Sequence, residues 1–424
     1  MDSKRSGGWL PEQDDLESWL DGHRQRVEAR GEQVVFHPVL EEFQELIDTE
    51  PVVRMYLNQM IEQVPSSKPY RKRHLDSVEQ MLRLINELLT MAPEFGESSM
   101  VATPLNAILD WPMGTPAGFG AFRDPRINAM LKKILGAWCE FLSGADSLYV
   151  LNDSPTGWRC AEAQRKVGMG QYEHDPQDEH WGFASWNDFF TRHFKDGERP
   201  VASPEDDKVI VSACESTPYG ISTDVQRQDR FWIKSQPYSL QDMLANDDSV
   251  DQFVGGTVYQ AFLSAINYHR WHSPVAGTVV RAFVQEGTYY SEADSEGKDA
   301  VEPTNSQSYL AHVAARAIIL IEADDPVIRL MAFVPVGMSE VSSCMIDAKV
   351  TPGYHVEKGE ELGHFQYGGS THCLVFRPGA IAEFTLAAIP QPHDPQAPLM
   401  LVRARLATAA PTVRAAPQSN KRNS

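Results

Sequence analysis

The chain of 424 residues has five cysteines, Cys139, Cys160, Cys214, Cys344 and Cys373. They are too few and too scattered for a disulfide framework, and no CxxC pair suggests a zinc site. The odd count fits a reducing compartment. Long apolar runs are also missing. The longest lies near Leu330 to Met338, far short of the roughly 20 residues a membrane helix needs. The opening MDSKRSGGWLPEQDD has a basic start but no apolar stretch of signal-peptide type. These absences predict a cytoplasmic protein with no integral membrane segment. Positive charge is in deficit as well. Lys and Arg total 38 against 58 Asp and Glu, a formal charge of −20. A chain this acidic is a poor partner for nucleic acid, whose phosphates demand a cationic face. After Asp394 acidic residues stop, while Arg403, Arg405, Arg414, Lys421 and Arg422 follow among Ala, Pro, Ser and Thr. That composition suits a solvated, flexible tail.

What is present is an ordinary globular balance, 42% apolar and 23% charged. Four stripes at helical spacing occupy the first third. They are Leu40, Phe43, Leu46 and Ile47; then Val53, Leu57, Met60, Ile61 and Val64, opened by Pro51; then Val78, Met81, Leu82, Ile85, Leu88 and Leu89; and lastly Met130, Leu131, Ile134, Leu135, Trp138 and Leu142. Such stripes are core faces of helices. Between them DWPMGTPAGFGAF reads as an irregular Gly/Pro-rich connection. Residues 150–185 turn polar, with Glu173, His174, Asp175, Asp178, Glu179 and His180 clustered. No fixed ligand spacing is met there, so the cluster reads as a solvated loop, and no metal is assigned. From Lys208 onward short β-rich runs dominate: KVIVSACES, GGTVYQAFLSAI, GTVVRAFV, ARAIILIEA and LMAFVPVGM. Glycines at 353, 359 and 363 suit tight hairpins like those of lipoyl or biotinyl carriers. The fold class is α+β, a helical N-terminal domain followed by a β-rich domain.

Three strings depart from packing logic. NYHRWHSPVAG, residues 267–277, sets His269 and His272 three apart. The pair suits proton transfer near neutral pH, half of a metal site, or two buried rings bonded to backbone. YGGSTHCLVF, residues 367–376, places Gly368 and Gly369 before Ser370. Glycine permits strained backbone and close approach of a nucleophile; an ordinary turn before a strand is the plain alternative. VSACESTPYG puts Glu215 in a small-residue turn, where a carboxylate can orient a histidine or simply face solvent.

In order, SWNDFFTRHFKDGERPV (185–201), ACES, NYHRWHSPVAG and HFQYGGST resemble the phosphatidylserine decarboxylase superfamily. The first third, with PAGFGAF and the WCEFL helix, resembles the extra domain of its soluble fungal-type tryptophan decarboxylases. The implied organisation is a flexible N-terminus over 1–30, a helical domain over 31–184, a catalytic domain over 185–402 and a basic tail over 403–424. The resemblance implies a covalent pyruvoyl cofactor. Ser370 would attack the Gly369 carbonyl, and cleavage between them would leave chains 1–369 and 370–424 associated. His272 matches the histidine that acts as base in cleavage. Glu215 stands at the position of the carboxylate that orients it, where the family usually carries aspartate. His269 matches the proton donor of decarboxylation, through a Schiff base at residue 370. Asn267 stands where many lipid-acting members carry aspartate. The implied substrate is a small aromatic L-amino acid, L-tryptophan first, with phosphatidylserine as the alternative and a homo-oligomer allowed. A non-catalytic lipoyl-like carrier would need a lysine at a hairpin tip; Lys349 is nearby, but the tip reads Gly353–Tyr354–His355. The Ser-x-His-Lys string of pyridoxal-phosphate decarboxylases is absent.

Overall fold

The computed structural model describes residues 13–31, 34–64, 74–96, 103–229, 238–291, 306–340, 343–391 and 398–411. The chain begins with helices α1 (Gln13–Ala29), α2 (Pro38–Thr49), α3 (Pro51–Glu62), α4 (Val78–Leu88), α5 (Pro104–Met113), α6 (Pro116–Ala121) and α7 (Pro125–Leu142), then α8 (Ala161–Val167) and α9 (Trp186–Phe190). Their starts are written in the sequence. Ser77 caps α4 by accepting from the Gln80 N–H, and Asp124 caps α7 ahead of Pro125. The apolar stripes face inward: Leu57, Met60, Leu82, Ile85, Leu135 and Trp138 are all buried in one core.

The rest is β-rich: β1 (Val209–Val211), β2 (Thr217–Thr223), helix α10 (Leu240–Met243), β3 (Thr257–Leu263), β4 (Arg270–His272), β5 (Gly277–Gln285), helix α11 (Gln307–Val313), β6 (Arg316–Ala323), β7 (Leu330–Ser339), β8 (Ser343–Ile346), β9 (His355–Val356), β10 (Glu361–Gln366), β11 (Gly369–Phe376), β12 (Ile381–Phe384) and β13 (Arg405–Ala409). A seven-stranded antiparallel sheet runs β2-β3-β11-β7-β6-β5-β9, flanked by three-stranded sheets β4-β10-β8 and β1-β13-β12. Its central strands are covered on both faces, which is why runs such as ARAIILIEA are continuously apolar. Alternate residues split between two cores. Tyr259, Ala261, Ile319, Phe333 and Leu374 lie on one side, and Val258, Ile318, Val334, Cys373 and Val375 on the other.

Three sequence expectations are corrected. Residues 13–29 are helical, not a flexible end, with Leu20, His23 and Val27 buried against the helical core; residues 1–12 lie outside the described residues. DWPMGTPAGFGAF is not irregular: it spans the end of α5 and all of α6. Proline at the first position of each helix is tolerated, because that N–H has no intrahelical partner. The basic tail begins as a strand, since β13 pairs with both β1 and β12 and buries Leu406; residues 412–424 lie outside the described residues.

Several histidines are structural. His23 bonds the Leu84 carbonyl and His74 the Ile108 carbonyl at 2.8 Å. Burial pulls both from 6.5 down to about 4. Folded rings therefore stay neutral where unfolded ones protonate. Between pH 6.5 and about 4 the unfolded chain binds more protons, so their stabilisation is full above pH 6.5 and lost as pH falls below it. His74→Gln should narrow the gap between the unfolding free energies measured at pH 7.5 and pH 5 by about 2 kcal/mol.

Candidate active site

Strand β11 is clamped in the middle of the large sheet. Ser370 pairs with Leu263 on β3 and with Gly337 on β7. The register against β7 shifts between Gly369 and Ser370, and Gly368 has φ +127°. A side chain at 368 would be strained there, so glycine is the residue this entry into the strand requires. Ser370 is fully buried, and its hydroxyl has no hydrogen-bond partner.

His269 lies beside this junction. Its Nδ1 faces the Asn267 carbonyl at 2.9 Å. A carbonyl only accepts, so Nδ1 carries the proton and Nε2 presents a lone pair. That Nε2 is buried without a partner. The Gly368 carbonyl favours the ring's protonated form without closing a hydrogen bond by distance and angle. Burial dominates and pulls the ring down to about 3, aided by the Arg192 charge. Phe190, from α9, stacks on the imidazole at 4.2 Å. Arg192 donates to the Ile266 carbonyl at 2.8 Å and so fixes the turn that carries Asn267. Asn267 thus acts through its backbone, which a change of side chain at that position does not remove.

His272 is engaged on both sides. Its Nδ1 donates to the Gly359 carbonyl at 3.0 Å, and its Nε2 accepts from the Tyr268 hydroxyl at 3.0 Å. Burial and the Arg403 charge pull it to about 3. Glu215 is not among its hydrogen-bond partners. Arg199 grips that carboxylate, with Nη2 to Oε1 at 2.6 Å and Nε to both oxygens at 3.2 Å, while the Val402 N–H donates to Oε2 at 2.8 Å. The longer side chain reaches a partly buried arginine, and the Gly359 carbonyl takes the place expected for the carboxylate.

Two residues near the junction were assigned no role from the sequence. Tyr367 leads into the glycines and packs edge-on against Trp138, Trp186 and Phe190, with centroids 5.1, 5.9 and 4.9 Å away. Glu340 follows Ser339, which pairs with Gly369. It is fully buried, accepts from the Asn106 N–H at the start of α5 and from the Tyr290 hydroxyl, and is pushed up to about 8 by burial. A lone glutamate ending an apolar run gives no sequence signal of such a role.

In the polar loop, Asp178 accepts from the His180 and Gly182 N–H groups, and His174 bonds the Tyr172 carbonyl. Among the described residues no group of three or more His, Cys, Asp or Glu could hold a metal ion. Lys349 is ion-paired with Glu360 at 2.9 Å rather than presented at a hairpin tip. No helix among the described residues is long and apolar enough to cross a membrane.

Two family models, both described as phosphatidylserine decarboxylase, match residues 37–167 and 186–391. An L-tryptophan decarboxylase of Psilocybe cubensis is 34% identical over 410 residues, 90% of each chain. The chain belongs to the phosphatidylserine decarboxylase family. Decarboxylase iboD of Amanita muscaria is 41% identical over 303 residues, 66% of this chain and 85% of that one. Phosphatidylserine decarboxylase proenzyme 3 of Schizosaccharomyces pombe is 32% identical over 197 residues, 46% of this chain and 19% of its own. This family member is accordingly a carboxy-lyase.

Glu215 is buried, and its partner Arg199 is partly so. Glu215→Ala should lower the unfolding free energy in urea by about 1.5–3 kcal/mol, because it removes a buried carboxylate that accepts from Arg199 and from the Val402 N–H, while Arg199 keeps Gln171 and the Glu198 carbonyl. Lost self-cleavage at unchanged stability would instead return Glu215 to the orienting role.

Proposed function

We propose that the chain cuts itself between Gly369 and Ser370 and that the pyruvoyl group so formed serves the decarboxylation of a free aromatic L-amino acid, L-tryptophan to tryptamine first. The observation that carries this reading is the junction itself: a glycine in a conformation closed to other residues, a register break, and a buried serine hydroxyl with no partner, beside a histidine whose Nε2 is also unpartnered. A hydroxyl so held is spared the competition of a hydrogen bond and lies next to the carbonyl it must attack. These residues fit the group, which would supply an electrophilic ketone and an electron sink at position 370.

The chain's own residues then have separate tasks. Gly369 leaves its carbonyl unshielded. His272 remains the candidate base for cleavage, and it must release the Tyr268 hydroxyl from Nε2 to take the serine proton. His269 presents Nε2 at the junction, where it holds the proton delivered to product. Phe190 and Phe365 exclude water from that ring.

The substrate class rests on separate support. Likeness to the L-tryptophan decarboxylases of P. cubensis and P. cyanescens runs along 90% and 88% of this chain. The phosphatidylserine decarboxylases of S. pombe and Oryza sativa match 46% and 47% of it. The charge of −20 opposes approach to an anionic lipid surface.

On a denaturing gel the purified protein should show fragments 1–369 and 370–424, and Ser370→Ala a single full-length band. Carbon dioxide should be released from free L-tryptophan and not from phosphatidylserine vesicles; the reverse would reassign the substrate. His272→Ala, folded by thermal melt, should stay uncut, while Tyr268→Phe should cut at least as fast as wild type because Nε2 is already free. His269→Ala should cut normally and lose about 10²–10⁴-fold in decarboxylation. An uncut His269→Ala with a normally cut His272→Ala would exchange the two roles.

A further inference from the structure

A third histidine lies closer in the chain to the serine than either of those two. His372 is two residues beyond Ser370 on β11, so the two side chains project to the same face of the sheet, the face of Leu374 and Phe376. It is fully buried, and neither ring nitrogen has a hydrogen-bond partner. The Ala261 carbonyl favours its protonated form, but no hydrogen bond closes by distance and angle. Its neighbours are Tyr259, 6.2 Å away between ring centroids, and Phe333 at 6.0 Å. The Tyr259 hydroxyl is buried and unpartnered too. So is the indole N–H of Trp271, which shares Phe333 as a neighbour.

Orphaned polar atoms buried this deeply are rare, because each costs about 1–3 kcal/mol. Several gathered on one face, beginning with the Ser370 hydroxyl, mark a place for a small polar molecule. A buried water bonded to two or three such groups is the ordinary way of satisfying them. The other candidate occupant, a metal, is disfavoured: among the described residues no cluster of three ligating side chains exists.

We propose that His372 and Tyr259 hold a buried water beside residue 370, and that this is the water consumed in the last step of self-processing. The inference rests on the self-cleavage proposed above and goes beyond it. Once the chain is cut by elimination, residue 370 is a dehydroalanine bearing a free amino group, which tautomerises to an imine with a methyl group. The water oxygen adds to the imine carbon and the carbon–nitrogen bond breaks. Both water protons end on the nitrogen, which leaves as ammonia, and the oxygen remains as the ketone. No oxidant or reductant is needed. Burial pulls His372 down to about 3, so the ring is neutral and one nitrogen is free to accept from water. His372 is therefore a positioning residue: it orients the water rather than bonding the reacting carbon.

The test reads the mass of fragment 370–424 over time in wild type, His372→Phe, His372→Asn and Tyr259→Phe, with a thermal melt of each. Wild type should carry the ketone. His372→Phe and Tyr259→Phe should be cut on schedule but yield a fragment lighter by the difference between oxygen and NH, with conversion to ketone slowed roughly 10²-fold for His372→Phe. His372→Asn, which still bonds water, should restore conversion. Ketone formed at the wild-type rate in both His372→Phe and Tyr259→Phe overturns the proposal. So does a stable His372→Phe left uncut, since it would place the residue before the cut. Should His372→Phe not fold, Tyr259→Phe, which removes one oxygen only, decides. A wild-type chain that is never cut overturns the self-cleavage reading itself, and is read from that arm alone.

Discussion

Everything near the junction depends on how β11 begins. A strand paired on both sides has no slack, yet its first two residues must leave the regular ladder. The register break and the left-handed Gly368 confine that departure to residues 368–370. The segment cannot relax backwards, because Tyr367 is wedged among Trp138, Trp186 and Phe190. Those rings belong to the helical layer, so α7 and α9 fix the strand entry from outside the sheet. Tyr290 and Tyr367 lie in the same apolar core as the helices. The helical layer is thus part of the site's wall, and Glu340, held by the start of α5, is a second seam between the two.

Carbonyl groups then set the proton chemistry. Asn267 and Gly359 each accept from an Nδ1, leaving both histidines neutral with their lone pairs on Nε2. The two differ only in what meets that lone pair: nothing for His269, the Tyr268 hydroxyl for His272. Burial keeps the rings unprotonated. The charged side chains nearby, Arg192 and Arg403, push in the same direction. A carboxylate beside either ring would reverse this, and Glu215 is kept away by Arg199.

Much of this was legible beforehand. Apolar periodicity places α2, α3, α4 and α7 with their buried faces, since period 3.6 and period 2 patterns are physically distinct. The strands β3, β5, β6 and β7 follow from short β-branched, apolar runs bounded by turn residues. Gly369, Ser370 and His269 are recognisable because glycine beside a nucleophile and paired histidines are uncommon for packing alone. What failed did so for local reasons. Pro112 inside the end of α5, and Pro116 with the glycines of α6, disguised those two helices, and polar residues hid the three buried contacts of α1 and the pairing of β13. The partner of Glu215 was illegible because Arg199 lies 16 residues away on a loop. Glu340 and His372 look like ordinary strand residues until the sheet places one beside Gly369 and the other on the face of Ser370.

The central claim is that Ser370 is converted from a side chain within the chain into the end of a new one. An intact-mass spectrum of the denatured, purified protein tests it most directly. The account predicts two polypeptides, ending at Gly369 and beginning at residue 370, the smaller with a ketone in place of its amino terminus. A single uncut polypeptide of 424 residues with an unmodified serine, in material that releases carbon dioxide from L-tryptophan, would contradict it.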